Sequence, residues 1–435
     1  MMIKGTKCPD IARCCDRGMV FAFCALAFCL PISIALTDSF AGLAIFLYFV
    51  KRIHRLAGAW PAPILKGLAP AKSVLNGPIA VLAAVTFISA LHSQFVGLSL
   101  FAFVGKFLKV IFLYFSFIEV FTSKKRIVIF VSVFLGSAFL ISLDGIIQHF
   151  CGLDLLAGHR LPPDGRVSSS MKMANSFGVY LIAVLGLATP LVFAGDAKRK
   201  SSLLRLGLAV LLAMLMFCLT WTFSRASWVG FMAAMVFMMF FGWRKIFVSA
   251  LLLAVFLVFS LPLLKTMRDV SLFKDNPAAT VDLRQPLIKI VDGVLSEGGS
   301  GRIHFWQTAV FLIEKHPVLG SGLNTYTRML RKFSLPYWYA HNSYLQIAAE
   351  TGWTGLACFL WMLFVFMRNG IGAINRGHDP WLNAVLMGGM TGAFAFLANS
   401  FFENSLFEVQ LVVLFWLIVA LTAAVMNLNH KIVNL

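Results

Sequence analysis

Apolar runs of about twenty residues recur from one end of the chain to the other, and each is long enough to cross the roughly 30 Å hydrocarbon core of a bilayer as a helix. The runs fall at about 19–36, 38–51, 76–96, 100–122, 126–148, 173–194, 203–223, 226–243, 246–264, 353–372, 381–400 and 407–427. Hydrocarbon offers no hydrogen-bond partner, so a backbone crossing it must satisfy its own amides, and a helix does so within one segment. Composition agrees: 60% of the 435 residues are apolar and 13% charged, too few polar side chains to coat a globule. The sequence therefore predicts an all-α polytopic membrane protein with about 12 transmembrane helices. The first run is long and lacks a small-residue exit site, so it reads as a retained span rather than a cleaved leader.

Lysine and arginine set the orientation. With the N-terminus inside, the short inside segments hold 21 of the 37 basic residues. The short outside loops hold four, Arg160, Arg166, Lys172 and Arg225. Retention of positive charge on the cytoplasmic side predicts cytoplasmic N- and C-termini. It also accounts for the net charge of +19 without a nucleic-acid partner, since the cations are spread over short loops rather than gathered in a groove. The eight cysteines show no metal-ligand spacing and no disulfide pattern.

One connection stands apart. Residues 265–352 form a polar outer segment far longer than an ordinary loop, and loops of that length are functional or disordered. This one holds an amphipathic stretch, 305–313, and an interfacial aromatic cluster, Tyr337-Trp338-Tyr339. The predicted organisation is thus 1–264 with spans one to nine, 265–352 as a long periplasmic loop containing helices, and 353–435 with the last three spans.

Within that layout a few residues can carry chemistry. His341 opens His341-Asn342-Ser343 just before the tenth span. It can take a proton from a sugar hydroxyl as general base, or simply cap a helix. Arg302 lies at a predicted helix start, where backbone donors and a guanidinium together suit a phosphate. Arg225 lies between two apolar runs with almost no loop, which places a permanent cation at the outer membrane boundary. Lys106 and Lys109 share a helical face by their spacing and can line a cavity or reach the interface. Arg160 and Arg166, in the loop after the fifth span, can bind phosphate or be neutralised by Asp154 and Asp164. There is no phosphate-binding glycine loop, no HExxH and no aspartate cluster, so neither a metal nor any other cofactor is expected.

Gly301-Arg302 with Trp306, then His316-Pro317-Val318-Leu319-Gly320-Ser321-Gly322, resembles the signature of the O-antigen ligase/polymerase superfamily. His341-Asn342 followed after nine residues by Gly352-Trp353-Thr354-Gly355 resembles the ligase pattern, as Ser224-Arg225 with Trp228-Val229-Gly230 resembles the end of an earlier family span. The resemblance implies a GT-C-like, metal-independent membrane glycosyltransferase. Its donor would be O-antigen on undecaprenyl pyrophosphate, its acceptor lipid A–core, and its active site periplasmic. It further implies His341 as base and Arg225 and Arg302 as pyrophosphate ligands, and Asn342 is a further candidate for binding phosphate or substrate. An O-antigen polymerase and a protein O-oligosaccharyltransferase share the superfamily. The first typically has two large outer loops and the second a longer C-terminal region, unlike this chain. A secondary transporter would show paired broken helices in two repeats, and none is evident.

Overall fold

The computed structural model describes residues 11–59, 70–193, 202–240, 300–334, 339–374, 377 and 379–433. These residues form helices joined by short turns. Among them the backbone makes no named strand, only an isolated bridge between Leu153 and Arg160. In order the helices are α1 (Ile11–Cys29), α2 (Ile34–Ala59), α3 (Asn76–His92), α4 (Val96–Val120), α5 (Lys124–Cys151), α6 (Ala174–Phe193) and α7 (Ser202–Trp221). They continue as α8 (Arg225–Phe240), α9 (Ser300–Lys315), α10 (Tyr326–Lys332), α11 (Ser343–Ile374), α12 (Pro380–Asn399) and α13 (Val409–Val433). Among the described residues eight helices, α2, α4–α7 and α11–α13, are long and apolar enough to cross a membrane, and α3 and α8 are shorter apolar helices. The chain is a multi-pass membrane protein. The run at 246–264 and most of the long segment that follows lie outside the described residues.

Two expectations about helices change. Where the first two spans are expected at 19–36 and 38–51, the helices are instead Ile11–Cys29 and Ile34–Ala59, with the break at Leu30-Pro31-Ile32. Proline ends the first helix because it cannot donate to the preceding turn. The charged ends extend as helix because their charges pair: Lys51 Nζ reaches Asp16 and lies 2.9 Å from Glu119 Oε1, and Arg55 Nη1 lies 2.8 Å from the same oxygen. The second change is in α4, where residues Phe103–Leu108 form a π-helical turn. A π turn holds more residues than an α turn, so the three-residue spacing no longer aligns Lys106 with Lys109. Their ammonium groups separate: Lys109 Nζ lies 2.7 Å from Asp38 Oδ1, whereas Lys106 Nζ donates to Asn324 Oδ1 at 2.9 Å.

Helices α6 and α12 form the centre of the bundle. Glycines face each other across the crossing: a Cβ at Gly186 would meet the Gly392 backbone at 2.6 Å, and one at Gly388 would meet Leu187 O at 2.4 Å. Small residues there allow backbone approach, the usual way membrane helices associate when lipid is as apolar as the interface. Phe177, Tyr180, Phe396 and Phe415 fill the space around this pair. At one end of the bundle lie Asp16, Glu119, the start of α5 and Asp379 ahead of α12. At the other lie the α1–α2 break, the end of α5, and the turn from α12 to α13, tied together where Gln410 Nε2 donates to Leu30 O and Ser170 Oγ to Pro31 O.

Candidate active site

The second end gathers the polar groups. The loop after α5 is fastened back onto that helix by Asp144 and Gln148. Asp144 Oδ1 accepts from Leu155 N at 2.7 Å, and Gln148 Oε1 accepts from Ser168 N and Ser169 N at 2.9 and 2.8 Å. These bonds hold Arg166 against the end of α7, where its Nε donates to Thr222 O at 2.8 Å. Its Nη2 donates to Asn175 Oδ1 at the start of α6. Asn175 Nδ2 in turn donates to Glu403 Oε1 at 2.9 Å, and Arg302 Nη2 lies 3.0 Å from that same oxygen. The other oxygen, Glu403 Oε2, lies 3.7 Å from His341 Nδ1, near enough to orient the ring electrostatically though longer than a direct hydrogen bond.

Glu403 is therefore the centre of the cluster. It joins an arginine on α9, an asparagine on α6, and the histidine that precedes α11. The Glu403 side chain is 10% exposed, whereas Arg302 and His341 are 31% and 35% exposed, so the carboxylate lies beneath groups that open outward. The turn carrying Glu403 is sewn to the turn carrying His341: Asn342 N donates to Asn404 Oδ1 at 3.0 Å, Ser343 N to Ser400 O at 2.8 Å, and Ser343 Oγ to Glu403 O at 2.9 Å. His341 has φ +48°, an uncommon left-handed conformation that these bonds sustain, and its ring lies 5.4 Å from that of Phe305. Glu408, just before α13, accepts from Ser176 Oγ. Burial pushes its carboxyl above the usual range; the Ser176 hydroxyl opposes the shift, and the charge of Glu403 adds to it.

The other expected residues divide. Asn342 caps α11, its Oδ1 accepting from Tyr344 N and Leu345 N at 3.0 and 3.1 Å. Arg225 is exposed at the first turn of α8, three residues beyond the carbonyl that holds Arg166, and Ser224 Oγ accepts from Ser227 N at 3.4 Å within that turn. Arg160 is exposed, bridged through its backbone to Leu153, and no contact among the described residues joins it to the cluster. Lys106 lies away from the cluster, at Asn324. Tyr339 is exposed, while Tyr337 and Trp338 fall outside the described residues.

The two glycine motifs meet. A Cβ at Gly352, φ +71°, would strike Val318 O at 2.0 Å, and one at Gly320, φ +69°, would strike Glu350 backbone at 2.3 Å. Only glycine permits both the conformation and the approach. The 317–322 segment thereby pairs with the kink in α11: Ser321 N donates to Ala349 O at 3.0 Å, Gly322 N to Glu350 O at 2.8 Å, and Trp353 N to Pro317 O at 2.8 Å.

Residues 208–360 match the family model for O-antigen ligase. That segment supports a place in the O-antigen ligase superfamily. No curated protein matches it at a significant level. The matched ligase segment contains Arg225, Arg302, His341 and both glycine motifs, while Arg166, Asn175 and Glu403 come from outside it. Sequence reasoning missed Glu403 and Asn175. The one available signal was a lone acid among aromatics, Phe401-Phe402-Glu403-Asn404, between two apolar runs on the predicted outer side. Among the described residues no group of three or more histidines, cysteines or acids is placed to hold a metal ion.

Proposed function

We propose that the chain is an O-antigen ligase: a GT-C-like, metal-independent inner-membrane glycosyltransferase acting at the periplasmic face. It would move O-antigen polysaccharide from undecaprenyl pyrophosphate to a sugar hydroxyl of lipid A–core. The observation that carries this reading is the convergence of Arg302 and His341 on the single carboxylate of Glu403. A carboxylate facing Nδ1 favours the tautomer with its proton there and leaves Nε2 with a lone pair. Nε2 takes the proton of the acceptor hydroxyl as its oxygen attacks the anomeric carbon. The bond from that carbon to the pyrophosphate oxygen breaks, the electron pair leaves with undecaprenyl pyrophosphate, and the configuration inverts. Glu403 then steadies the imidazolium. Arg302 has used one nitrogen on Glu403 and retains others for phosphate oxygens, and Arg166 and Arg225, the latter at the first turn of α8, would add to the positive field. The pyrophosphate linkage is already activated, so no nucleotide is needed.

The test is reconstitution. Purified protein receives lipid-linked O-antigen and lipid A–core, with chelator and without nucleotide. A ladder of O-antigen on lipid A–core is the expected product. Extension of the lipid-linked chain alone would make the protein a polymerase, and a strict need for added magnesium or manganese would overturn the metal-free mechanism.

A further inference from the structure

A second basic region lies at the same end of the bundle and takes no part in the Glu403 cluster. Helix α10 presents Arg328, Arg331 and Lys332 on exposed positions, and Lys106 is exposed on the π turn of α4. The two lysines lean on neutral oxygens: Lys106 Nζ on Asn324 Oδ1, and Lys332 Nζ on Gln94 Oε1. Among the described residues neither lysine nor Arg328 has an ion-pair partner. Glu350, which feels the charge of Lys106, is buried, with its oxygens accepting from Asn324 N at 2.7 Å and Gln346 Nε2 at 3.3 Å. His316, behind the patch, shows the same field: burial holds its imidazole below the usual range, and His92 and Lys332 press it further down.

This region is at the same end as His341 because Ser93, at the end of α3, donates to Ser321 O at 2.7 Å and Ser89 donates to Glu350 O at 3.0 Å, on the helix that His341 precedes. Exposed cations on the translocated face run against the general bias of membrane proteins, and uncompensated ones mark an anion's place. A buried row connects the patch to the reacting end: Asn404 Nδ2 donates to Gln346 Oε1 at 2.8 Å, Gln346 to Glu350, and Glu350 holds the Asn324 loop. Eight residues of helix separate Asn342 from Glu350, about 12 Å.

We propose that Lys106, Arg328 and Lys332, with Arg331, bind phosphate groups on the glycolipid acceptor. This inference rests on the transferase reading, because a reaction between two anionic lipids needs two cationic seats. The donor pyrophosphate takes the arginines at Glu403. The acceptor's phosphates take the α10 face, on the other side of His341.

The experiment uses the full-length protein in neutral-lipid nanodiscs, with three probes: lipid A–core, the same acceptor after enzymatic removal of its phosphates, and phosphatidylglycerol. Binding and, separately, acceptor KM and donor KM are measured for the wild type and for the combined Lys106→Gln, Arg328→Gln, Lys332→Gln variant. The wild type should bind the phosphorylated acceptor about tenfold or more tightly than the dephosphorylated one. The variant should lose that preference and raise acceptor KM while donor KM and melting temperature stay as in the wild type. A charge-keeping variant, Arg328→Lys with Lys332→Arg, should retain the preference. Equal binding of the two acceptors by the wild type overturns the inference. So does an unchanged preference in the glutamine variant, or phosphatidylglycerol binding as tightly as the phosphorylated acceptor. Phosphate-dependent binding with no transfer to lipid A–core would support this seat and sink the transferase reading instead. Transfer without phosphate-dependent binding would do the reverse.

Discussion

The bundle carries a charged cluster at each end, each built around one nearly buried glutamate and arranged to opposite effect. At one end Lys51, Arg52 and Arg55 all pair with Glu119, and Lys51 also pairs with Asp16. Lys51 and Glu119 are nearly sealed, with side chains 2% and 8% exposed. At the other end Arg166 leans on an asparagine and a backbone carbonyl, while Arg302 and His341 share one carboxylate and face outward. In the first cluster each of the three cations has a carboxylate at close range. The second is short of negative charge, and an anion would complete it. A buried ion pair is at best weak stabilisation, but losing one member strands the other in low dielectric. An open cluster short of anions stores its unmet interactions for a substrate instead.

That contrast can be broken at several points. The largest effect belongs to His341. His341→Ala should lower turnover by about 10²–10⁴ while lipid-linked donor binds nearly as before, read by single-turnover rates and donor affinity on detergent-stable protein. Loss of donor binding with chemistry intact would reverse the assignment of roles. Next comes the sealed cluster. Glu119→Gln leaves Lys51 and two arginines without their shared carboxylate and should cost about 3–5 kcal/mol of stability. The melting temperature in detergent should drop, with turnover per folded molecule unchanged. The matching change at the open end, Glu403→Gln, should show the opposite profile. Turnover should fall roughly ten- to hundred-fold, as expected for a charged hydrogen bond worth about 1.5–3 kcal/mol, with a smaller change in melting. Were both variants to act on melting alone, the open cluster would be structural like its counterpart.

A finer distinction concerns the arginines. Alanine at Arg302 or Arg225 should weaken donor binding and turnover together, and lysine should restore only part, because an ammonium cannot reproduce a two-pronged guanidinium. Full rescue by lysine would mean that only charge matters. The smallest effect is a pH dependence at Glu408. Its carboxyl is raised by burial, so the folded state prefers it protonated. Its stabilising contribution is complete below the ordinary carboxylate range and fades as pH rises through the raised value. Glu408→Gln should therefore flatten the decline in melting temperature over that window. An unaltered pH profile would remove Glu408 from the account.

Much of the bundle was legible because hydrophobic length is a coarse signal that survives errors of several residues at each end. It failed at the first two helices, where 11–18 and 52–59 read as polar flanks although their charges are neutralised by partners distant in sequence, Asp16 with Lys51 and Arg52 with Glu119. It failed again at Lys106 and Lys109, whose shared face assumed regular α geometry across what is a π turn. The matched ligase segment was visible through motifs with fixed spacing. Glu403 had none: its contacts reach back 101 residues to Arg302 and 228 to Asn175. Arg160 and Arg166 were equivalent in the sequence, and only the fastening of their loop by Asp144 and Gln148 separates them.

The glycine contact between α6 and α12 has a consequence for the far end of both helices. Asn175 begins one of them, about 16 Å along the helix from the Gly186–Gly392 contact, and Glu403 lies four residues past the end of the other, which ends about 10 Å from that contact. The two helices behave as the legs of a pair of tweezers pinned at their glycines, with the Asn175–Glu403 bond between the tips. A single methyl at the pin would splay the legs and widen the gap at the tips. Residues remote from the Glu403 cluster therefore set its calibre, and the chain's tolerance for change at Gly186 and Gly392 should follow the demands of that cluster rather than those of the membrane.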